Sequence, residues 1–344
     1  MLYSLPDLGW SSHFMMQLSI EELETLTPAR ITAVHRNSFD ALTETGSPTL
    51  RIKPDSAATI TVGDWVLADQ TGLIYRSLDR LTTLSRRAAG EDARQQLIAA
   101  NVDVLFIVTS CNRDFNPARL ERYLVLANTT GCQPVIVLTK PDLCDDPAKY
   151  AKQAQALATD LPVLTVNACD PLQAALLTDW WRKGQTAALL GSSGVGKSTL
   201  TAVLTGQDIA TQDIRDDDAK GRHTTTARNL YQAQHGGWLL DTPGMRALRL
   251  ADAGDGIEAV FADLAALAEQ CRFRDCAHAQ EPGCAIQAEI TTGRLDPDRL
   301  RRWQKLARED VRNSETLAQS RDRDKALGKF YKRAQDDAKG RKNR

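Results

Sequence analysis

Along the chain the spacing of apolar residues changes character several times, and each change predicts a different kind of structure. Residues 1–29 carry a helix-like patch at Ile20, Leu23 and Leu26 but no clear core, and read as an N-terminal extension. Between Arg30 and Arg87 the pattern becomes short alternating stretches, ARITAVHR, PTLRIKP, ATITVGDWVLAD and GLIYRSL. Turn residues around Gly46, Pro54 and Gly72 separate them. Several short strands within this span predict a small closed all-β barrel, because closure removes exposed strand edges. The pattern alone fits an OB-type or an SH3-like barrel.

From residue 88 to 250 strands and helices alternate. The runs 102–110, 134–140, 162–168, 186–191 and 238–244 are nearly continuous in apolar residues, as parallel strands covered on both faces must be. Helices are predicted over 117–130, 148–158 and 172–181, which makes this a central α/β domain with a parallel sheet. Residues 251–310 read as mainly helical. Val260, Leu264 and Leu267 form one stripe at helical spacing, and Leu300, Trp303 and Leu306 form another. Residues 311–344 form a tail rich in Lys and Arg, read equally as a solvated segment or an RNA-contacting arm. The chain is therefore expected to be multidomain.

Composition narrows this picture in three ways. A net charge of −1 over 344 residues excludes a wholly basic nucleic-acid binder, though not a local basic surface. No apolar run approaches the roughly 18–20 residues of a membrane span, and MLYSLPDLGW lacks the features of an export signal, so a cytoplasmic protein with no membrane partner is expected. No internal repeat or coiled coil is visible, which leaves a monomer as the default. Of the seven cysteines, Cys111, Cys132, Cys144 and Cys169 are scattered, whereas Cys271, Cys276 and Cys284 cluster with His278. That distribution suits a reducing compartment and one metal site.

The sharpest motif is Gly191, Ser192, Ser193, Gly194, Val195, Gly196, Lys197 and Ser198, a G-x-x-x-x-G-K-[ST] phosphate loop between a predicted strand and helix. Its glycines let backbone N–H groups curl around a β-phosphate, while Ser198 and Thr199 open a helix whose N-terminus favours negative charge. Lys197 is expected to bridge the β- and γ-phosphates, and the Ser198 hydroxyl to coordinate Mg2+. Two further pieces point to guanine. Thr139, Lys140, Pro141 and Asp142 match a [NT]-K-x-D element, whose carboxylate accepts two bonds from the guanine edge that adenine cannot offer. Asn167 and Ala168 resemble the element whose backbone N–H meets guanine O6. Asp241–Gly244 (DTPG) supplies a carboxylate within reach of Mg2+ through water and an N–H for the γ-phosphate. All of these close predicted strands, where α/β sheets gather their ligands.

In an ordinary GTPase the phosphate loop comes first; here the base-reading elements precede it and DTPG follows. The order predicts a circularly permuted GTPase domain whose γ-phosphate-sensing segment leads directly into the C-terminal module. Between the loop and DTPG lies Gly221-Arg-His-Thr-Thr-Thr226, where Thr224 or Thr225 is expected to bind Mg2+ and the γ-phosphate. Met245 stands where many GTPases carry a water-orienting Gln, and a thioether cannot orient water. His223 is the internal candidate for that task.

Cys271-x4-Cys276-x-His278-x5-Cys284 offers three thiolates and an imidazole, a set suited to tetrahedral Zn2+ with no open position, hence a structural ion. Arg272, Phe273 and Arg274 lie within this loop, a basic and aromatic combination able to meet RNA.

Taken together, Gly63-Asp-Trp-Val66, Thr139–Asp142, Gly191–Ser198, Gly221–Thr226, Asp241–Gly244 and the Cys/His set resemble the ribosome small subunit-dependent GTPase A family (RsgA, YjeQ-like) over roughly residues 30–310. The resemblance implies an OB-fold N-terminal barrel and a GTPase of low intrinsic rate, activated by the small (30S) ribosomal subunit during its late maturation. It further implies 16S-type rRNA contacts by the barrel and the zinc module, and a hydrolysis-assisting role at the position of His223. Thr139 departs from the more usual Asn and Asn167 from the usual Ser; the first change predicts weaker guanine binding. Two other readings use the same motifs: a nucleotide-gated RNA clamp with little turnover, and an ATP-using phosphoryl transferase in which Asp142 has no base-reading role.

Overall fold

The computed structural model describes residues 3–53, 59–87, 95–207, 229–241 and 252–314. Near the N-terminus, α1 (Ser12–Met15) and α2 (Ile20–Thr25) precede β1 (Thr27–Val34), β2 (Phe39–Leu42) and β3 (Thr49–Leu50). Then come β4 (Trp65–Ala68), β5 (Ile74–Ser77), β6 (Thr83–Arg87) and β7 (Gln95–Ala100). β1 pairs antiparallel with both β2 and β4, β2 pairs with β3, and β4 with β5. A parallel bridge between Arg51 and Leu73 joins the two ends, so these strands form a ring. Ile31, Phe39, Leu50, Val66 and Ile74 fill it.

The Gly63-Asp-Trp-Val66 string is explained by packing. A Cβ on Gly63, whose φ is +88°, would lie 2.1 Å from Ala100 O, so only glycine fits. Asp64 is fully buried and accepts from Arg80 Nε and Nη2 at 2.6 and 2.8 Å and from the Thr61 N–H at 2.8 Å. Trp65 points out of the ring onto Trp10 and Phe14, with ring centroids 4.7 and 5.8 Å away.

Those contacts correct the expectation that the N-terminal residues lack a core. Leu8 and Phe14 are 0% and 1% exposed. Trp238 Nε1 donates to Asp7 O at 2.7 Å, and the buried Arg30 guanidinium donates to Leu8 O and to the Thr186 hydroxyl. The first turns thus pack between the ring and the α/β sheet.

The α/β region contains β8 (Val104–Ser110), α3 (Pro117–Thr130), β9 (Gln133–Thr139), α4 (Pro147–Gln155), β10 (Val163–Val166), α5 (Pro171–Ala174), β11 (Thr186–Gly191), α6 (Lys197–Thr205), β12 (Asn229–Gln232) and β13 (Trp238–Asp241). The predicted helix over 172–181 is instead α5 followed by a 3-10 segment, Ala175–Trp180. Strand order is β10-β9-β8-β11-β13-β12, parallel except for β12, and β12 meets β1 through the Ala33–Asn229 pair. Side chains alternate across the sheet: Val104, Phe106 and Val108 join one apolar cluster with Trp181 and Leu200, while Leu105 and Ile107 join the other with Leu120 and Leu124. That two-sided burial is why these strands read as continuous apolar runs.

The C-terminal module consists of α7 (Gly254–Val260), α8 (Ala262–Ala268), α9 (Ala285–Thr291) and α10 (Pro297–Ser314). Its Ile257, Leu264, Leu300 and Leu306 belong to the same apolar cluster as Leu105 and Trp65, so ring, sheet and module share one core. A charged seam reinforces it. Glu121 of α3 is fully buried and accepts from Arg302 Nε at 2.7 Å and Arg299 Nη1 at 3.1 Å. Arg299 also holds Asp263 at 2.8 Å and the carbonyls of Val260 and Leu157. Burial pushes the Glu121 carboxyl above its usual value against the pull of both guanidiniums.

Candidate nucleotide site and metal centre

Strand register brings the predicted nucleotide elements to one edge. Thr139 ends β9 opposite Ser110 of β8 and Val166 of β10, and Gly191 ends β11 opposite Val108. Asn167, Lys140 and Ser192 therefore leave the sheet side by side. The phosphate loop then depends on its glycines. A Cβ on Gly191 would lie 2.2 Å from Val108 O, and Gly194 and Gly196 take φ of +76° and +96°. The hypothetical Cβ of Gly196 would lie 3.5 Å from the Ala168 Cβ and 3.7 Å from the Thr139 hydroxyl, so loop, Thr139 and Ala168 meet within contact distance.

Hydrogen bonds lock that meeting. Thr139 is fully buried, and its hydroxyl has carbonyl neighbours at Val195 O, 2.6 Å, and Thr109 O, 3.1 Å. A hydroxyl carries one proton, and the nearer partner is the phosphate loop itself. Thr139 thus ties the end of β9 to the loop with a single bond. Lys140, in a left-handed conformation with φ +56°, donates from Nζ to Gly194 O at 2.6 Å along the loop's outside. Lys197 Nζ donates to Gly191 O at 2.8 Å and to Ser192 O, which holds the ammonium over the loop. Ser198, at the start of α6, is exposed beside it, and Asp142 is exposed in the turn Pro141–Leu143. The Asn167 side chain accepts from the Cys169 N–H at 2.9 Å, shaping the turn that presents Ala168.

His223, Thr224, Thr225, Gly244 and Met245 lie outside the described residues, and of Asp241 only the backbone position at the end of β13 is described. Sequence reasoning missed Arg119 of α3, which donates to the Ser192 hydroxyl of the phosphate loop. No spacing rule could link residues 73 positions apart.

The second site is contiguous. The ligand atoms of Cys271, Cys276, His278 and Cys284 all lie within 4.8 Å of one another. Cys271 Sγ and Cys284 Sγ are 3.9 Å apart, and each is 3.6 Å from His278 Nδ1. Four bonds of tetrahedral zinc, about 2.3 Å to sulfur, would set sulfur–sulfur edges of about 3.8 Å, so the donor set and its spacing fit that ion. The surroundings hold the ligands in place. The Glu281 carboxylate accepts from the N–H groups of Ala277, Ala279 and Gln280, Gln287 Nε2 donates to His278 O at 2.6 Å, and the His278 ring packs 5.7 Å from Trp303. The positive φ of His278, +57°, turns its ring back toward the thiols. Phe273 is exposed on this loop, with the Arg272 guanidinium 5.4 Å from its ring.

A phosphate-loop sequence at the carboxyl edge of a parallel sheet, hydrogen-bonded to the strand end at Thr139 and followed by a Cys3His cluster, is the arrangement of a P-loop nucleotide-binding protein. The sequence profile of the RsgA GTPase family matches residues 77–251. "Small ribosomal subunit biogenesis GTPase RsgA 2" of Vibrio vulnificus is 47% identical over 336 residues, covering 97% of this chain and 96% of the relative. "Small ribosomal subunit biogenesis GTPase RsgA" of Mesorhizobium japonicum is 51% identical, covering 90% and 91%. The crystal structure of YjeQ from Thermotoga maritima shares the fold, with a TM-score of 0.62, 24% identity, and coverage of 83% of this chain and 99% of that one. The chain belongs to the RsgA GTPase family and is a GTPase.

Proposed function

We propose that this GTPase acts in late maturation of the small (30S) ribosomal subunit: it engages the particle with GTP bound, and hydrolysis to GDP and phosphate releases it. The observation that carries the nucleotide half is the contact of Gly196, Thr139 and Ala168 at one sheet edge. The ribosomal half rests on relatives of 47% and 51% identity, both named for small-subunit biogenesis.

In this reading the backbone N–H groups of Ser192–Thr199 cradle the phosphates, and Lys197 exchanges its loop carbonyls for β- and γ-phosphate oxygens. Asp142 accepts from the guanine edge, and the Ala168 N–H meets O6. Ser198, Thr224 or Thr225 and Asp241 would hold Mg2+, and the Gly244 N–H would donate to the γ-phosphate. An ion held there would supply positive charge to offset the charge that develops on the transferring phosphoryl group. His223 orients the attacking water, since Met245 cannot. The Cys271/Cys276/His278/Cys284 set holds one structural zinc.

The layout that goes with this function is an OB-type barrel over 30–87, a permuted GTPase domain over 88–250, a zinc module over 251–310, and a basic tail after it. The barrel and the zinc loop, with exposed Phe273 beside Arg272, contact 16S-type rRNA. The protein works as a cytoplasmic monomer. Among the described residues no helix is long and apolar enough to cross a membrane.

Turnover of GTP with and without purified small subunits, with ATP as control, tests this. A rise of about tenfold or more, equal to ~1.4 kcal/mol off the barrier, is expected, and His223→Ala should abolish it. GTP binding without any stimulation would replace this reading with a nucleotide-gated RNA clamp.

A further inference from the structure

A cavity of about 490 Å3 lies between α3, the phosphate loop and α10. Four cationic side chains line it, Arg119 and Arg122 from α3 and Arg302 and Lys305 from α10, together with Ser192 and Ser193 of the loop. Two of the four are neutralised: Arg122 forms a bidentate pair with Glu309, and Arg302 holds Glu121. The other two are not. Arg119 donates to the neutral Ser192 hydroxyl, and the exposed Lys305 has no ion-pair partner among the described residues. Two uncompensated positive charges in a concave wall concentrate anions there, and a cavity of this size accepts a small ligand or part of a chain.

We propose that this cavity is a phosphate-ester site, distinct from the cradle formed by the backbone of the phosphate loop, with Arg119 and Lys305 as its anion-holding residues. The donor types favour a phosphoryl group. A planar guanidinium fork, a point-charge ammonium and two hydroxyls approach from three separate elements, an arrangement that suits a tetrahedral oxyanion. The guanidinium that would hold the ligand also holds Ser192, so an occupant touches the phosphate loop through one side chain. The phosphate can come from an RNA backbone or from a free phosphorylated compound. The proposal does not depend on the ribosomal reading above.

The test uses the full chain saturated with GDP, which fills the nucleotide site, and two probes: an oligouridylate of about ten nucleotides and inorganic tripolyphosphate. Lys305→Glu is compared with Lys149→Glu, the same charge change at an exposed position on α4. Thermal melts confirm that both variants are folded. Lys305→Glu should weaken at least one probe by about fivefold or more, and reduce the salt dependence of that binding by about one ion, while Lys149→Glu changes it little. Loss confined to the oligouridylate identifies an RNA phosphodiester; loss that includes tripolyphosphate identifies a free phosphorylated compound. If the two variants behave alike toward both probes, the proposal is wrong.

Discussion

The candidate metal centre and the candidate nucleotide site solve the problem of assembly in opposite ways. The Cys3His set comes from a contiguous run of 14 residues, and its loop is fastened by its own neighbours, Glu281 and Gln287. The candidate nucleotide elements come from three strand ends far apart in sequence, and only the register of a parallel sheet brings Thr139, Ala168 and Gly196 beside one another. A contiguous site can be organised by a bound ion acting locally. A dispersed site inherits its geometry from the whole sheet, and strain anywhere in that sheet reaches it. The α3–α10 seam joins the two, because Glu121 and Arg119 lie two residues apart on α3 and face the C-terminal module and the phosphate loop respectively.

The contrast predicts a ranking of effects. Metal removal should be the most severe, since structural zinc contributes about 10 kcal/mol or more of apparent binding free energy in small modules. Chelation, or Cys276→Ser, should lower the melting transition of the C-terminal helices by on the order of 10 °C. Removing GDP should cost only about 3 kcal/mol at a hundredfold excess over its Kd. Equal sensitivity to metal and nucleotide, read by calorimetry, would erase the distinction.

Glu121→Ala should come next. It leaves the buried Arg299 and the half-buried Arg302 with one carboxylate fewer, a change that costs about 3–5 kcal/mol when an ion pair is fully buried. Glu309→Ala, at the partly exposed Arg122 pair, should cost about 1 kcal/mol or less. Urea midpoints at constant slope decide this, and similar losses for the two variants would mean that the seam is not a buried network. The smallest effect on stability belongs to Thr139→Val, which removes one hydrogen bond to the phosphate loop and keeps the side-chain volume. We expect GDP affinity to fall by about tenfold, or ~1.4 kcal/mol, with little change in stability. Unchanged affinity would show that the Thr139–Val195 bond does not shape the loop.

Much of this was legible in the sequence, for reasons that differ by element. The helix predicted over 117–130 and the strand over 186–191 have the predicted bounds, the first because Asn116 caps it and Gly131 ends it in a left-handed conformation. The clustering of Cys271, Cys276, His278 and Cys284 was legible because their spacing is local. The N-terminal core was not: Leu8 sits in a 3-10 turn and Phe14 in a four-residue helix, with Trp10 in the link between them, too short and irregular to leave a period. β7 escaped notice for a similar reason, since QQLIAA gains its meaning only from pairing with β6. Nothing in the sequence around Glu121 marks it as buried, because the guanidiniums that hold it come from 178 and 181 residues away. Thr139 was read as a weakened base-reading residue, whereas its hydroxyl also serves the loop.

The central claim is that the nucleotide state sets the protein's hold on the small ribosomal subunit. Co-sedimentation with purified small subunits, using protein loaded with a non-hydrolysable GTP analogue or with GDP, tests it directly. The account predicts at least about tenfold tighter binding in the triphosphate state, because only a ligand with differential affinity can drive a switch. Equal binding in the two states would contradict it.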